Sequence, residues 1–369
     1  MHFQIATIVS MVSLLMTILL FVRYFAYTSW SGWTKIICFL LCAFVAFLPM
    51  FVPREWSKVY GQRFGLAEAV CYFVFIFVFI LFALTLMRDV VWLVLHWFHL
   101  TSSPWMVVGF AKANLGTIVV ALICSAWSLY EGMRVPDVKY TTLTSPKITQ
   151  EKTIAVLSDL HIGRTVSSAK IQGIVQKTNA LQPDVILLAG DIVDDDVPVI
   201  QDKLAILSNL RAKQGVYFVS GNHEFYIGYH SAMQAMENLD LISLENKMVC
   251  IEPDFCLAGV ADIRTAIRFG ATTKAKEILE SVPSNQYTLL VTHSPFRLDL
   301  PFDLQVSGHT HGGQIFPFHI FSWLGNDHLL AGYYPKERIY VSRGSGQWGP
   351  QMRFLAPSEI SLLRLCPDK

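Results

Sequence analysis

The chain has 369 residues, 53% of them hydrophobic and 13% aromatic, and its 29 basic against 28 acidic side chains leave a net charge of +1. That balance gives no electrostatic basis for binding nucleic acid. The seven cysteines are an odd count without a framework of disulfide spacing. Cys38, Cys42, Cys71 and Cys124 lie in apolar runs, while Cys250, Cys256 and Cys366 read as free thiols, which favours a reducing compartment.

Four apolar runs come first, at residues 5–22, 34–52, 66–87 and 113–130. Each is long enough to cross a bilayer, which takes about 20 predominantly apolar residues. No Lys or Arg precedes the first and no small-residue cleavage site follows it, so it does not read as a cleaved signal peptide. Trp30, Trp33, Trp56 and Trp105 stand near the run ends, where aromatic rings favour the headgroup region. The segment "RDVVWLVLHWFHL" at 88–100 is too short for a further span. Asp89, Trp92, His96 and His99 fall on one helical stripe, and the segment reads as an interfacial helix. Four spans put both ends of the bundle on one side. The loops there carry Arg54, Lys58, Arg63, Arg134, Lys139 and Lys147, against Arg23, Lys35, Arg88 and Lys112 opposite, which places the C-terminal domain in the cytoplasm. No ionisable residue lies mid-span, so the runs carry no signature of a transport pathway.

Residues 132–151, with two prolines (Pro136 and Pro146), many threonines and no helix pattern, read as an extended linker. From residue 152 the text is that of a globular domain large enough to bury its own core. "TIAVL" (153–157) is a strand buried on both faces. Further strands are expected at 184–190, 215–221, 256–260, 287–292, 304–307, 339–342 and 360–365, and helices at 167–180, 197–211 and 230–239. Alternating strands and helices followed by shorter strands predict an α/β fold with mixed sheets.

Polar residues gather where these strands end: Asp159 and His161, then Gly190 and Asp191, then Gly221, Asn222, His223 and Glu224, then His293, then His309 and His311. Open α/β sheets build their sites at the carboxyl ends of strands. Carboxylate, amide and imidazole donors without thiolate suit Mn, Fe or Zn ions. The set is too large for one ion. A carboxylate bridging two ions about 3.5–4 Å apart leaves room for an attacking hydroxide and clamps a phosphoryl group.

In this pattern the chain resembles the calcineurin-like metallophosphoesterase superfamily. The motifs are D-x-H (Asp159, His161), G-D (Gly190, Asp191), G-N-H-E (Gly221–Glu224), a lone His293 and G-H-x-H (Gly308–His311), over residues 152–365. The "GHTHGGQ" stretch and the "YVSRGSGQWGPQMRF…APSEI" ending are similar to a membrane-associated bacterial branch of phosphodiesterases, with Ser358 interrupting the usual P-E-I. The resemblance implies an αββα sandwich and two divalent metal ions. It assigns Asp159, His161 and His311 to the first ion, Asn222, His293 and His309 to the second, and Asp191 to both. It puts His223 at the scissile phosphate. Glu224 fits either a support behind the ligands or a solvated carboxylate. Asp194, Asp195 and Asp196 read first as a helix N-terminus, with Asp194 alternatively orienting a ligand, and Arg343 is a further candidate for a substrate phosphate. The aromatic segment at 315–325 fits three readings: a surface that dips into the bilayer and admits a lipid phosphoester, core, or a cover for the linker.

The sequence therefore predicts a four-helix transmembrane region at 1–131, a linker at 132–151 and a metallophosphoesterase domain at 152–369. The expected activity is hydrolysis of a phosphodiester or pyrophosphate, with lipid-linked substrates included, at the surface of a membrane. A non-catalytic metal-binding scaffold is the alternative; retention of both Asp191 and His223 favours the enzyme.

Overall fold

The structure is a computed structural model that describes residues 2–51, 62–101, 110–270 and 273–368. It divides into two compact units, Met1–Leu129 and Tyr130–Lys369.

The first unit is built of apolar helices at His2–Phe21, Gly32–Phe51, Gln62–Trp97 and Phe110–Met133, the last running on into the second unit. Among the described residues two stretches have the length and composition of a membrane span, Ala69–Trp97 and Lys112–Met133. Ser10–Ala26 and Gly32–Phe47 are shorter apolar helices. Of the four expected spans, those at 66–87 and 113–130 are therefore span-length, while those at 5–22 and 34–52 are helical and shorter among the described residues. The interfacial helix expected at 88–100 is corrected, because Gln62–Trp97 runs on unbroken through Arg88 and Asp89. Asp89, expected on a wet face, instead meets Arg23 Nε at 2.6 Å, and both are largely buried. Arg88 donates to Asn114 Oδ1, and Asn114 to the Arg23 carbonyl. Charges this costly to bury are tolerated because each has a partner. Trp56, Trp105, Arg54 and Lys58 lie outside the described residues.

In the second unit, the strands are β1 (Asp137–Ser145), β2 (Lys152–Leu157), β3 (Val185–Ala189), β4 (Val216–Val219), β5 (Ile242–Ser243), β6 (Lys247–Glu252), β7 (Phe255–Gly259), β8 (Tyr287–Val291), β9 (Leu304–Ser307), β10 (Gly332–Tyr334), β11 (Ile339–Val341) and β12 (Glu359–Pro367). They form two six-stranded mixed sheets, ordered β1-β12-β2-β3-β4-β5 and β10-β11-β9-β8-β7-β6. Side chains alternate faces along a strand. Ile154 and Val156 of β2 therefore point into the space between the sheets, where Leu187, Val219, Leu257, Leu289 and Val306 also lie. Ala155 and Leu157 point the other way, against helix residues such as Ile171, Ile174 and Met236. The outer face of the second sheet, with Ala258 and Leu290, is covered by Ile278 and Leu279. The layers are helix, sheet, sheet, helix.

Local sequence explains the helix starts. Ser167 caps Ser168–Ala180 by accepting from the Lys170 N–H, and Ile171, Ile174, Val175 and Thr178 form its buried stripe. The helix expected at 197–211 is α-helical only over Val197–Leu204 and tightens into a 3-10 turn at Ala205–Asn209. The segment read as a linker is not a free connector. Asp137–Ser145 pairs along its whole length with β12, in parallel, and forms an edge of the first sheet. A parallel partner so distant in sequence leaves no hairpin signal to read. The thiol reading of Cys250 and Cys256 is corrected too: they face each other on β6 and β7 and form a disulfide.

Candidate metal centre

Five strand ends converge on one place. β2, β3 and β4 deliver Asp159, His161, Asp191, Asn222 and His223 from the first sheet; β8 and β9 deliver His293, His309 and His311 from the second. All eight are buried except His309, which is partly so.

The side chains form two triads. Asp159, His161 and His311 bring donor atoms within 4.8 Å of one another, as do Asp191, His293 and His309. In the first, His161 Nε2 and His311 Nε2 are 3.1 Å apart, with Asp159 Oδ1 3.4 Å from the latter. In the second, His309 Nδ1 and His293 Nε2 are 3.2 Å apart. Asp191 Oδ2 stands between the triads, 3.1 Å from His293 Nε2 and 3.6 Å from His161 Nε2.

The donor chemistry fits bound cations. Two imidazole lone pairs cannot face each other at such distances without a proton or cation between them. Burial, then the charge of His161, holds His311 well below the ordinary imidazole pKa, the neutral form a metal needs. Burial also pulls His293 down, but the Asp191 carboxylate outweighs it and raises its pKa well above the ordinary value. His293 Nδ1 lies 2.9 Å from the Ala189 carbonyl, which fixes the ring and turns Nε2 inward. Asn222 Oδ1 is buried and accepts no hydrogen bond among the described residues. An orphaned oxygen of this kind calls for a missing partner.

The backbone is bent to make this convergence. Asp159, His161, Asp191, His309 and His311 all hold positive φ, between 45° and 69°. Such conformations cost of order 1–3 kcal/mol each for residues with side chains and cluster at functional sites. Gly190 has no room for a side chain: a Cβ there would lie 2.6 Å from His293 Nδ1.

Three residues support the site from behind. Glu224 is fully buried, and its carboxylate accepts N–H bonds from Gly221, Asp191, Ile192 and Val193, tying the β3 loop to the β4 loop. Of its two sequence readings, the solvated one is excluded. Asp194 does not cap a helix; it points into the site, with Oδ1 2.6 Å from His223 Nδ1 and Oδ2 3.8 Å from His161 Nδ1. Asp195 binds Arg164, and the helix starts after Asp196. Arg353 carried no role in the sequence reading. It is fully buried and donates to the carbonyls of Arg343, Gly346 and Ala356, and to that of His311 at 3.0 Å. Its only sequence signal is its place in the "GPQMRF" ending. Arg343 stays partly exposed beside Gly312.

A model of the calcineurin-like phosphoesterase family matches residues 152–313. An uncharacterized metallophosphoesterase of Helicobacter pylori is 35% identical over 256 residues, covering 67% of this chain and 69% of that protein. The chain belongs to the calcineurin-like phosphoesterase family. A metallophosphoesterase of Campylobacter jejuni is 29% identical over 77% of this chain and 78% of its own length. A Bos taurus protein named "transmembrane protein with metallophosphoesterase domain" is 36% identical over 58% of this chain and 52% of that protein. The family match contains both triads and ends at Gly313. Arg343, Arg353 and the helix Phe318–Gly325 lie beyond it.

Proposed function

We propose that the protein is a membrane-anchored phosphoesterase that hydrolyses a phosphodiester or pyrophosphate with two divalent ions, Mn, Fe or Zn. The ligand sets are Asp159, His161 and His311 for one ion and Asn222, His293 and His309 for the other, with Asp191 shared. The observation that carries this reading is the position of Asp191 Oδ2, within reach of an imidazole from each triad. When bound, a cation pair supplies Lewis-acid polarisation of the phosphoryl oxygens and a nucleophilic hydroxide at neutral pH.

The remaining chemistry belongs to the chain. His223 donates Nδ1–H to Asp194, which leaves Nε2 free to hand a proton to the departing oxygen. Burial pulls its pKa down, but the carboxylates of Asp191 and Asp194 outweigh that and raise it. Glu224 holds the backbone of the Asp191 loop still while charge develops. Membrane anchoring is supported by the two span-length helices and by the transmembrane name of the Bos taurus relative. The test is elemental analysis of detergent-purified protein joined to a hydrolysis screen with Mn added. About two transition ions per chain and turnover of a phosphodiester are expected; one ion or none after careful loading would sink the reading.

A further inference from the structure

The helix Phe318–Gly325, "FHIFSWLG", buries none of its residues. Phe318, Ile320, Phe321, Trp323 and Leu324 are each 42–57% exposed. Five large apolar side chains on eight residues are far more than the scattered exposed apolar groups of an ordinary surface. The loop at Leu355 adds to them: Leu355 has φ 60° and is 65% exposed, and its carbonyl lies 3.3 Å from His319 Nε2.

The helix is fastened to the metal-centre turn. Ser322 Oγ donates to the carbonyl of Thr310, the residue between His309 and His311, at 3.1 Å. Gly313 packs so closely that a Cβ there would lie 2.5 Å from the His319 Cα. Whatever covers the helix therefore sits beside the site.

We infer that the helix seats in the headgroup and upper acyl region of a lipid bilayer and brings the phosphoester bond of a lipid to the metal centre. This names the substrate class of the proposed phosphoesterase and rests on that reading. Two observations select a bilayer as the occupant. The same chain carries helices with the length and composition of membrane spans, which would tether it to a bilayer. The charge is also compatible with anionic headgroups: the helix carries no carboxylate, and the acids nearest its end are matched, Asp327 by Arg264 and Glu337 by Arg297. Short aromatic helices with a polar tie at one side bury shallowly at such an interface.

The test uses the full chain in vesicles of phosphatidylcholine and phosphatidylglycerol with brominated acyl chains. Trp323 emission, taken as the difference between the native protein and Trp323→Phe, should be quenched. A Phe321→Ser, Leu324→Ser variant changes exposed side chains and should fold. It is expected to lose about tenfold or more in kcat/KM on vesicle-borne phosphatidyl-p-nitrophenol. On soluble bis(p-nitrophenyl) phosphate, which has the same leaving group, it should match the native protein. Unquenched Trp323, or equal losses on both esters, overturns the inference. Unquenched Trp323 with a doubled mass in detergent would show that a second copy covers the helix. Quenching without hydrolysis of either ester would leave the docking intact and remove the phosphoesterase reading instead.

Discussion

His223 Nδ1 and Asp194 Oδ1 lie 2.6 Å apart, at the edge of the first metal-binding triad. An ionised carboxylate only accepts, so this pair holds the proton on Nδ1 and aims Nε2 at the substrate. Burial pushes the Asp194 pKa up, but the neighbouring imidazoles of His161 and His223 outweigh it and lower it below the ordinary carboxylate value. Replacing His223 with Ala should leave fold and metal content unchanged and lower turnover by ~10²–10⁴-fold on esters with poor leaving groups. The loss should shrink with a nitrophenolate leaving group, which needs no proton. Asp194→Asn should show the same leaving-group dependence to a smaller extent. Equal losses across leaving groups would mean that His223 only steadies phosphoryl oxygens.

The shared position of Asp191 makes a different prediction from the unshared ligands. Asp191→Asn is expected to lower occupancy at both sites, because its carboxylate reaches His161 and His293 alike. His161→Ala should empty mainly one. Elemental analysis of the two variants, purified alongside the native protein, separates these outcomes; equal metal loss in both would contradict a shared ligand.

Arg353 predicts a stability effect. Burial pulls its pKa down to about 10, and its guanidinium satisfies the carbonyls of His311, Arg343, Gly346 and Ala356. Arg353→Leu removes the charge but orphans these four acceptors, each costing roughly 1–3 kcal/mol, so a loss of at least about 4 kcal/mol is expected. Denaturant unfolding of the second unit's signal should show the midpoint falling. An unchanged midpoint would mean that water replaces the arginine.

Basic residues and cysteines point to opposite sides of a membrane. The basic residues favour the cytoplasm, but the cross-strand disulfide between Cys250 and Cys256 fits an oxidising compartment. Cytosolic thiols are kept reduced, so the disulfide predicts an exported domain. In a Cys366→Ser background, Thr142→Cys on the exposed face of β1 should be modified by a membrane-impermeant reagent in intact cells. Protection of that thiol would return the domain to the cytoplasm.

The α/β class, most strands of the two sheets and the residues gathered at the metal centre are legible in the chain's local patterns. This is so because β2, β3 and β8 are largely apolar runs followed by polar residues, a local pattern that burial on both faces imposes. Which imidazoles meet is settled by packing alone. His161 and His311 stand 150 residues apart, and their 3.1 Å approach depends on two sheets packing face to face. Pairing across long sequence distance also hid the rest. β1 reads as a linker because its partner is β12, and Cys250 and Cys256 read as thiols because their register on β6 and β7 brings them together. Asp194 was obscured by two neighbouring acids, and Arg353 by the absence of any local rule for a buried arginine. Local spacing encodes which residues an element carries; the direction in which a side chain points is set by backbone bends, such as the positive φ at Asp159 and His309, that only the packed sheets hold in place.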